Sequence, residues 1–570
     1  MNRKANIVLA IIMVLALLVT ACGNNKPSND TSSNTSTNTS SNRSSTPKDD
    51  AASTDKAEEV EETISLKWQG PNYPFEDNTY GQQLMEETFN VAITPVRVDD
   101  TQQLNLLLAS GDIPDIMYIG ISDLNGFVKN DVLAGIPLDA VKQYAPDYYD
   151  IIINQDPNAF TYGSMNGILY GLPRLDAATA PKGIAIRGDW LKNVGSDVPR
   201  TLEELEEVFV KFRNNDPDQD GKKNTYALST PSDGGAAWFN SIFGAFNTNP
   251  FLFLERDGKL AHGITLNESK EALKLLAKWK KMDLIDPEFL TDKNRTSGQD
   301  DTSYKFAAGR IGYVDNISYD DHQWDNDGHL NAKWVSQHPE WQAFFSDPAN
   351  TYVTEPFYSV PNSGPQPVYV NMAPVTGPQG DSGAYVDNML SRFIVFGKQV
   401  GTDEKKMAKL LTILNTLVSD EEFFVAIEFG PEGKVWEYNA AGQRVFKEGW
   451  TESAEYHPQG KNLGTGLFFD LLFNTNPDFL AAFGGPRAVQ RYEITKQITN
   501  HTGIGNAVKA PLPSGSMNND LNALLQEYIL KAILGEVDID ATYDATVAKW
   551  LSAGGEVLTK EANEWYASTR

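Results

Sequence analysis

The sequence predicts an α/β fold in which mostly parallel sheets are covered by helices. Two observations lead to this class. From residue 64 onward, segments that alternate like strands and segments with helical periodicity follow one another, which favours parallel strands joined by helices. The chain also has 570 residues, a length that favours more than one such domain.

The alternation is clearest at the start of the folded part. A half-buried strand is predicted at 64–68, because Ile64, Leu66 and Trp68 alternate with polar residues. The elements predicted after it are a helix at 84–89, a strand at 91–98, a helix at 102–109 and a short buried strand at 116–119. This β-α-β-α-β order predicts a parallel sheet with helices packed on it.

Helices further along the chain are predicted from caps and apolar stripes. Thr201 and Glu204 have the spacing of a capping box, in which each side chain bonds the backbone N–H of the other residue. We interpret the apolar stripes as core faces, and we expect Trp279 and Trp550 to be core residues. The stripes lie at 202–212, 268–282, 403–418 and 521–533.

The first 22 residues have the pattern of a secretory leader. Arg3 and Lys4 precede an apolar run at 7–19, which is shorter than a typical membrane span and has the length of a signal-peptide core. Small residues then lead into Cys22, the only cysteine of the chain. This arrangement resembles the lipobox of bacterial lipoproteins, so residues 1–22 are predicted to be a signal peptide with a lipidated Cys22. The alternative is a plain secretory signal that contains a cysteine.

Residues 23–62 are predicted to be a disordered tether. Ser, Thr and Asn dominate up to Thr46, and Asp, Glu, Lys and Ala follow, so the segment has too few apolar residues to build a core. A flexible coil of this length spans roughly 35 Å. The folded part is therefore expected to stand clear of a membrane that the chain reaches only through lipid.

The charge balance excludes several kinds of partner. The chain has 76 acidic and 48 basic residues and a formal net charge of −28, which repels nucleic acid and anionic membrane surfaces. A strongly anionic substrate would need a local basic pocket. With Cys22 lipidated, no thiol remains for a disulfide or for a cysteine-ligated metal.

Five short motifs stand in order along the folded chain. They are 109–116 (ASGDIPDI), 169–173 (LYGLP), 186–191 (IRGDWL) followed by 199–205 (PRTLEEL), 306–313 (FAAGRIGY) and 429–433 (FGPEG). Together with the order of the elements, these motifs resemble those of the extracellular solute-binding proteins of carbohydrate ABC importers. The 306–313 motif departs from the family pattern, with Arg310 in place of a lysine and Gly312-Tyr313 in place of Ala-Met. The resemblance spans essentially the whole folded chain and is closest to the large oligosaccharide-binding lipoproteins of Gram-positive bacteria.

The resemblance implies a two-lobed, periplasmic-binding-protein-like fold with the ligand cleft between the lobes. It implies a monomeric, lipid-anchored protein on the extracellular face of the cell membrane, which captures an oligosaccharide and delivers it to the permease subunits of an ABC transporter. The family interleaves its lobes along the chain. The implied lobes are 63–174 plus 383–430 for lobe one and 175–382 plus 431–570 for lobe two.

Two other functions stay open at this stage. The same fold could bind a non-sugar solute such as a peptide, or the chain could be a surface glycoside hydrolase or lyase. The sequence contains no G-x-S-x-G, no G-x(4)-G-K-[ST] and no H-E-x-x-H motif. These absences favour a binding protein over an enzyme.

An acidic segment after the 202–212 helix has the spacing of a calcium loop. Asp216, Asp218 and Asp220 occupy positions 1, 3 and 5, and Gly221 stands at position 6, where such loops turn sharply. The backbone carbonyl of Lys222 is expected to add a ligand. Members of the resembled family close such a loop with acidic residues, where this chain has the neutral Asn224 and Thr225. The segment is therefore predicted to form a structural calcium site, and the alternative interpretation is a solvated Asp-rich turn.

Candidate ligand residues stand at predicted strand ends that would face the cleft. Sugar rings present apolar C–H faces that stack on Trp and Tyr, and their hydroxyls need hydrogen-bonding partners. Parallel sheets place ligands beyond the carboxyl ends of their strands. For each residue, a packing role stays open beside ligand contact. The candidates are Trp68, Gln69, Asn72, Tyr118 and Ser122 in lobe one, and Trp238, Asp315, Asn316, Tyr319 and Trp436 in or beside lobe two.

Overall fold

Two separate β-sheets organise the part of the chain that the structure describes. The structure is a computed structural model, and all its described residues belong to one unit, residues 61–570. The predicted leader with Cys22, and the tether up to residue 61, lie outside the described residues. The described residues are 62–69, 78–98, 101–175, 181–230, 235–292, 294–295, 299–317, 335–343, 369–440, 442, 444–447 and 501–569.

The strands of the two sheets alternate with helices along the chain. In chain order the strands are β1 (Ile64–Gln69), β2 (Val91–Val96), β3 (Ile116–Gly120), β4 (Gly171–Leu175), β5 (Gly183–Arg187), β6 (Tyr226–Leu228), β7 (Ile311–Ile317), β8 (Tyr369–Met372) and β9 (Leu390–Phe396). Short two-stranded ribbons join Ser164–Met165 to Ile168–Leu169, Phe253–Arg256 to Lys259–His262, Asn294–Arg295 to Gln299–Asp300, Ala384–Tyr385 to Gly503–Ile504, and Trp436–Tyr438 to Arg444–Phe446.

The described α-helices cover the sheets and form the C-terminal region. They are α1 (Tyr80–Phe89), α2 (Thr101–Ala109), α3 (Leu124–Lys129), α4 (Leu138–Tyr144), α5 (Pro146–Gln155), α6 (Ala159–Tyr162), α7 (Gly188–Asn193), α8 (Leu202–Asn214), α9 (Asn240–Gly244), α10 (Asn267–Lys281), α11 (Asp301–Ala307), α12 (Glu404–Ser419), α13 (Glu421–Phe429), α14 (Asn518–Leu534), α15 (Ile539–Trp550) and α16 (Glu556–Ser568). Among the described residues, no helix is both long enough and apolar enough to cross a bilayer.

Each sheet is mostly parallel and contains one reversed strand. The first sheet has the order β2-β1-β3-β9-β4, and only β9 runs against the other four strands. The second has the order β8-β5-β7-β6, and only β5 runs against the other three. In both sheets the reversed strand is the first one formed after the chain arrives from the other sheet. The prediction of an α/β fold with mostly parallel sheets is therefore confirmed.

Each sheet packs into its own large hydrophobic cluster, which is the two-lobed arrangement that the family resemblance implies. The first cluster joins residues of β1–β4 and β9 with those of α12 and α13. The second joins the other sheet to α8, α10 and the C-terminal helices α14–α16. The predicted boundaries within the chain stay a prediction; Val435 and Trp436 pack in the first cluster.

Two segments that pass between the sheets lie side by side. The chain leaves the first sheet after β4 and returns to it at β9. Lys182, on the way out, donates its backbone N–H to the carbonyl oxygen of Tyr385, on the way back, over 2.7 Å. Tyr385 also pairs with Ile504 in a parallel ribbon. These backbone contacts hold three crossing segments together where the two lobes meet.

Local signals in the sequence explain the helix boundaries and the buried faces. The Thr201–Glu204 capping box is present, with both side chains bonded to backbone N–H groups at the start of α8, an arrangement whose N-cap bond alone contributes about 1 kcal/mol. The apolar stripe of α12 is buried as predicted. Trp279 and Trp550 are fully buried, so both predictions of a core role are confirmed.

Candidate functional site

A cavity of about 600 Å³ lies between the two hydrophobic clusters. From the first lobe it is lined by Ser122 and Asn125, near the start of α3, and from the second lobe by Phe251 and His262. Its volume falls within the range of small-molecule sites. Because both lobes line it, a ligand held here would contact both at once.

The segment 506–513 forms one wall of the cavity and bridges the lobes. The N–H of Ala507 donates to the carbonyl oxygen of Phe253 in the second lobe over 2.8 Å. At the other end, the amide of Asn125 in the first lobe donates to the carbonyl oxygen of Leu512 over 2.5 Å. These bonds fix the wall to both lobes.

Neutral hydrogen-bonding side chains dominate the polar part of the cavity lining. The lining includes two serines, which can donate and accept, and five asparagines, whose amides present both donors and acceptors. Such groups suit hydroxyl-rich ligands, since each sugar hydroxyl both donates and accepts. The residues are Ser122, Ser516, Asn125, Asn388, Asn506, Asn518 and Asn522.

Two phenylalanines that the sequence analysis did not nominate, Phe251 and Phe253, line the cavity. Phe253 is buried, whereas the side chain of Phe251 is half-buried. The Phe251 ring meets that of Trp238 edge to face, with centroids 5.8 Å apart and planes at 89°. Trp238 itself is buried and does not line the cavity. The nominated tryptophan therefore supports the ring that reaches the ligand space.

His262 contributes a neutral imidazole to the same wall. Its ring stacks on Trp550, with centroids 4.3 Å apart, and only 5% of its surface is exposed. Burial lowers the pKa of His262 to about 3, although a backbone hydrogen bond at Phe251 opposes the shift. At neutral pH this side chain therefore carries no charge into the cavity.

The nominated residues of the first lobe are mostly buried. Trp68 is fully buried in the first cluster. Gln69 is also buried, and its side-chain oxygen accepts the backbone N–H of Tyr118, itself a buried residue, over 2.9 Å. Ser122 is exposed and lines the cavity. Asn72 lies outside the described residues.

The nominated tryptophans of the second half of the chain pack in two different clusters. Trp238 lies in the second cluster and Trp436 in the first. The indole N–H of Trp436 donates to the carbonyl oxygen of Gly430 over 2.9 Å. Tyr319 lies outside the described residues. In this conformation neither tryptophan lines the cavity, and their ligand contact stays a prediction.

Asp315 lies in a buried polar cluster on β7. Its carboxylate accepts the backbone N–H and the hydroxyl of Ser241, over 3.0 and 2.7 Å. The same hydroxyl lies 2.8 Å from the Tyr313 hydroxyl. Burial raises the pKa of Asp315 to about 6, against the opposing effect of the Ser241 hydrogen bonds. Asp315 and its half-buried neighbour Asn316 do not line the cavity.

The carboxylates of the acidic loop lie close together, as the spacing predicts. Oxygen atoms of Asp216, Asp218 and Asp220 all lie within 4.8 Å of one another. Gly221 has φ of 78°, a left-handed conformation that glycine adopts without the steric penalty of a side chain. Its N–H donates to both oxygens of Asp216, over 3.2 and 3.1 Å, which draws the first carboxylate over the turn.

The loop leaves negative charge partly uncompensated. Burial, the nearby charge of Asp220 and a hydrogen bond with Asp216 raise the pKa of Asp218, and its buried Oδ1 has no hydrogen-bond partner within the described part of the chain. A bound cation would favour the charged form of Asp218 and would give its Oδ1 atom a partner. In the structure, the Asn224 amide donates a hydrogen bond to the Asp220 carboxylate over 3.0 Å. The Thr225 hydroxyl donates to the carbonyl oxygen of Phe212, near the end of α8, over 2.8 Å.

A larger groove of about 1060 Å³ runs along α7 and α8. It belongs to the second lobe alone, and its wall carries charges of both signs, including Asp189, Lys192, Glu204 and Lys211. Lys211 is engaged with the Ser196 hydroxyl over 2.8 Å. The smaller cavity is the better candidate site because both lobes and an aromatic ring contribute to it.

Comparison with known proteins identifies relatives over most of the chain. The chain is 22% identical to the polygalacturonan/rhamnogalacturonan-binding protein YtcQ of Bacillus subtilis, over 499 residues that make up 86% of this chain and 87% of the relative. It is 27% identical over 490 residues, 82% of this chain and 84% of the relative, to the lipoprotein LipO of the same bacterium.

Solved structures share the fold at low sequence identity. The Streptococcus pneumoniae ABC-transporter substrate-binding protein FusA in complex with kestose matches with a TM-score of 0.62 and 17% identity, over 89% of this chain and 99% of that one. A second structure of FusA, described as an EF-hand mutant in complex with fructo-nystose, matches with a TM-score of 0.60 and 18% identity, over the same shares of the chains.

Residues 79–366, half of the chain, match the family described as bacterial extracellular solute-binding protein. This family binds solutes, so the prediction of a binding protein rather than an enzyme is confirmed. The family also accounts for the two sheets with a cavity between them. The chain belongs to the bacterial extracellular solute-binding proteins.

Proposed function

We propose that this chain captures an oligosaccharide between its two lobes and delivers it to the permease of an ABC importer. The observation that carries the proposal is the cavity of about 600 Å³, which combines an aromatic ring with several neutral amide and hydroxyl side chains from both lobes. Sugar rings offer apolar C–H faces to an aromatic ring and hydroxyls to amides. Both kinds of surface are available within one cavity.

The relatives support a sugar as the solute. YtcQ is named for binding polygalacturonan and rhamnogalacturonan, and FusA is named a fructooligosaccharide ABC transporter substrate-binding protein. We therefore assign the sugar function to Ser122, Asn125 and Phe251, with Trp238 as the support of the phenyl ring.

Delivery to a permease requires that the ligand-bound form differ from the ligand-free form. A ligand that contacts both lobes stabilises the arrangement in which they lie close together, by its differential affinity for that arrangement. The lobes would move relative to each other at the bridging segment 506–513 and at the crossing segments that contain Lys182 and Tyr385. We propose that the chain acts as a monomer in this cycle.

The site of action in this proposal is the extracellular face of the cell membrane. The family is extracellular, and LipO, which is similar over most of this chain, is named a lipoprotein. Lipidation of Cys22 would attach the folded part through the 23–62 tether, with lipid as its only contact with the membrane.

A ligand panel tests the proposed function. Thermal-shift measurements on the purified chain should show stabilisation by at least one class of oligosaccharide and none by peptides or polyamines. A ligand at a hundredfold excess over Kd raises the free energy of unfolding by about 2.7 kcal/mol. Stabilisation by peptides alone would contradict the sugar assignment, and turnover of a labelled oligosaccharide would contradict the binding role.

We also propose that the acidic loop holds a structural calcium ion. Calcium prefers six to eight oxygen ligands, and the loop offers the carboxylates of Asp216, Asp218 and Asp220, with the Lys222 carbonyl and the side-chain oxygens of Asn224 and Thr225 as further donors. The description of a similar structure as an EF-hand mutant agrees with this. The bound ion would neutralise the three converging carboxylates.

Removing calcium is expected to lower the melting temperature, and adding it back to restore it, because the ion binds only the folded loop. Asp218→Asn should abolish this response, since it removes the carboxylate with the unpartnered oxygen. Asp257→Asn, at an exposed hairpin turn, serves as the control and should keep it. A wild-type melting temperature that changes with neither chelator nor calcium would contradict the calcium site.

A further inference from the structure

The cavity differs in charge from the rest of the chain. The chain has 76 acidic residues against 48 basic ones, yet none of the described residues that line the cavity is an aspartate or a glutamate. Two lysines, Lys129 and Lys509, do line it. This is a local basic pocket of the kind that an anionic ligand would need in such an acidic protein.

We infer that the preferred ligand is an anionic oligosaccharide, whose carboxylate or sulfate groups pair with Lys129 and Lys509. The inference rests on the proposed function and adds the chemical class of the sugar. Both lysines keep contact with solvent: Lys129 is exposed, and 37% of the Lys509 side chain is exposed. An ammonium group is nevertheless stabilised by an anion more than by a hydroxyl, because a charge-assisted hydrogen bond is about twice as strong as a neutral one.

Lys129 supplies a positive charge that no carboxylate neutralises within the described part of the chain. It is the last residue of α3, and its ammonium donates to the backbone carbonyl oxygen of Pro513 over 3.3 Å. That bond holds the side chain against the bridging segment, which lines the cavity. Since an ammonium has three protons, the contact leaves donors available for a ligand.

Lys509 supplies the second positive charge, although it already has one partner. Its ammonium lies 3.2 Å from Asp156. That carboxylate also accepts the Tyr162 hydroxyl over 2.7 Å and the N–H of Asn158 over 3.0 Å. Burial alone would raise the pKa of Asp156, but these bonds and Lys509 hold it below its usual value. Asp156 therefore does not depend on Lys509 alone, and the lysine can also serve a ligand.

Three carboxylates near the lining residues have partners of their own. Asp387, next to Asn388, pairs with Lys182 over 2.8 Å. Asp123, next to Ser122, accepts the N–H of Gly120 over 3.2 Å and lies near a compensating arginine. Glu561 accepts both the N–H and the hydroxyl of Ser514, over 2.9 and 2.7 Å. The negative charges of these three carboxylates are thus partly compensated.

The neutral side chains and the lysines of the cavity have different roles in ligand binding. Asparagines and serines can bind the hydroxyls of any sugar, so they provide affinity without selecting charge. The lysines provide the selection: a neutral sugar would cover them without pairing them, and an unpaired charge is costly to desolvate. Anionic ligands should therefore bind more tightly than neutral ligands of the same shape.

Calorimetry with matched ligands tests the inference on the full chain. The probes are oligogalacturonides and their methyl esters, which have the same rings and linkages but differ in charge, and sulfated oligosaccharides with their desulfated counterparts. We expect at least one charged series to bind about tenfold or more tightly than its neutral match. We also expect that preference to shrink as salt is raised. Equal or tighter binding of the neutral series would overturn the inference.

Lysine variants place the effect in the cavity. Lys129→Gln and Lys509→Gln should each weaken charged-ligand affinity about tenfold and leave neutral-ligand affinity unchanged. Lys560→Gln, at an exposed lysine paired with Glu564 in α16, should change neither. If the Lys509 variant fails to fold, Lys129→Gln alone decides the matter. A charge preference that survives both cavity variants overturns the assignment.

The outcomes separate this inference from the function on which it rests. If neutral oligosaccharides bind well and charged ones do not, the chain is still a sugar-binding protein and only the charge assignment is wrong. If no oligosaccharide of either kind binds, the proposed function is wrong, and this inference with it.

Discussion

Asp286→Ala is expected to lower the free energy of unfolding by about 3–5 kcal/mol, because it removes the centre of a buried ion network. Asp286 has no exposed surface. Its carboxylate accepts two hydrogen bonds from Arg310, over 2.9 and 3.0 Å, and lies 2.9 Å from the ammonium of Lys305. Without it, Lys305 and Arg310 remain with fewer partners, and the Lys305 side chain is only 14% exposed. Urea unfolding of the variant beside the wild type measures the loss.

Glu288 offers a matched control within the same network. Its carboxylate lies 3.3 Å from Arg310, but 58% of its side chain is exposed. Glu288→Gln should therefore change the free energy of unfolding by no more than about 0.5 kcal/mol. Equal losses from the two substitutions would show that burial does not set the strength of these pairs. A negligible loss from Asp286→Ala would contradict the account of the network.

Trp68→Ala is expected to cost about 3–5 kcal/mol of stability, as the loss of a large core side chain does. Trp68 is fully buried in the first lobe, and its backbone pairs with Pro95 of β2 and Ile116 of β3. The substitution leaves a cavity at the centre of the sheet. The measurement is a melting or urea-unfolding curve, taken together with oligosaccharide affinity.

The neighbouring Lys67 gives the control on the same strand. It is exposed, and it pairs with an exposed aspartate, Asp112. Lys67→Ala should therefore change stability by less than about 1 kcal/mol. If Trp68→Ala lost ligand affinity while keeping the wild-type melting temperature, the packing role would be wrong and the predicted ligand role would stand.

The sequence contained the information needed to place Trp68. In a strand, residues two apart share a face, and Trp68 has the same parity as Leu66, which is also buried. The exposed positions are Ser65 and Lys67, as the alternation predicts. The position of Trp68 at a strand end suggested ligand contact, but the parity of the strand places its side chain in the core.

Local features were the most predictable parts of the structure. The acidic loop needs only three carboxylates spaced two apart and a glycine that turns the backbone, all within six residues of chain. The predicted convergence is therefore present. The capping box at Thr201 and Glu204 is local in the same sense. Neither feature depends on how distant segments meet.

The cavity could not be predicted in the same way, because it is assembled from distant segments. Asn125, Phe251, Asn388 and Asn506 are more than a hundred residues apart along the chain, and they meet only after the two lobes have formed. No periodicity marks the segment 506–513 as a wall. Lys129 and Lys509 share no local pattern, so the basic character of the cavity is visible only in three dimensions.

The most direct measurement is the calorimetric affinity of Phe251→Ala for an oligosaccharide that the wild-type chain binds. Phe251 is half-buried and lines the cavity, so its loss should weaken binding by about 1–3 kcal/mol, roughly tenfold to hundredfold in Kd. The control is Tyr144→Ala, which removes an aromatic ring that is 37% exposed and does not line this cavity. We predict that the first variant loses affinity while the second keeps it. Wild-type affinity in Phe251→Ala would contradict the placement of the site.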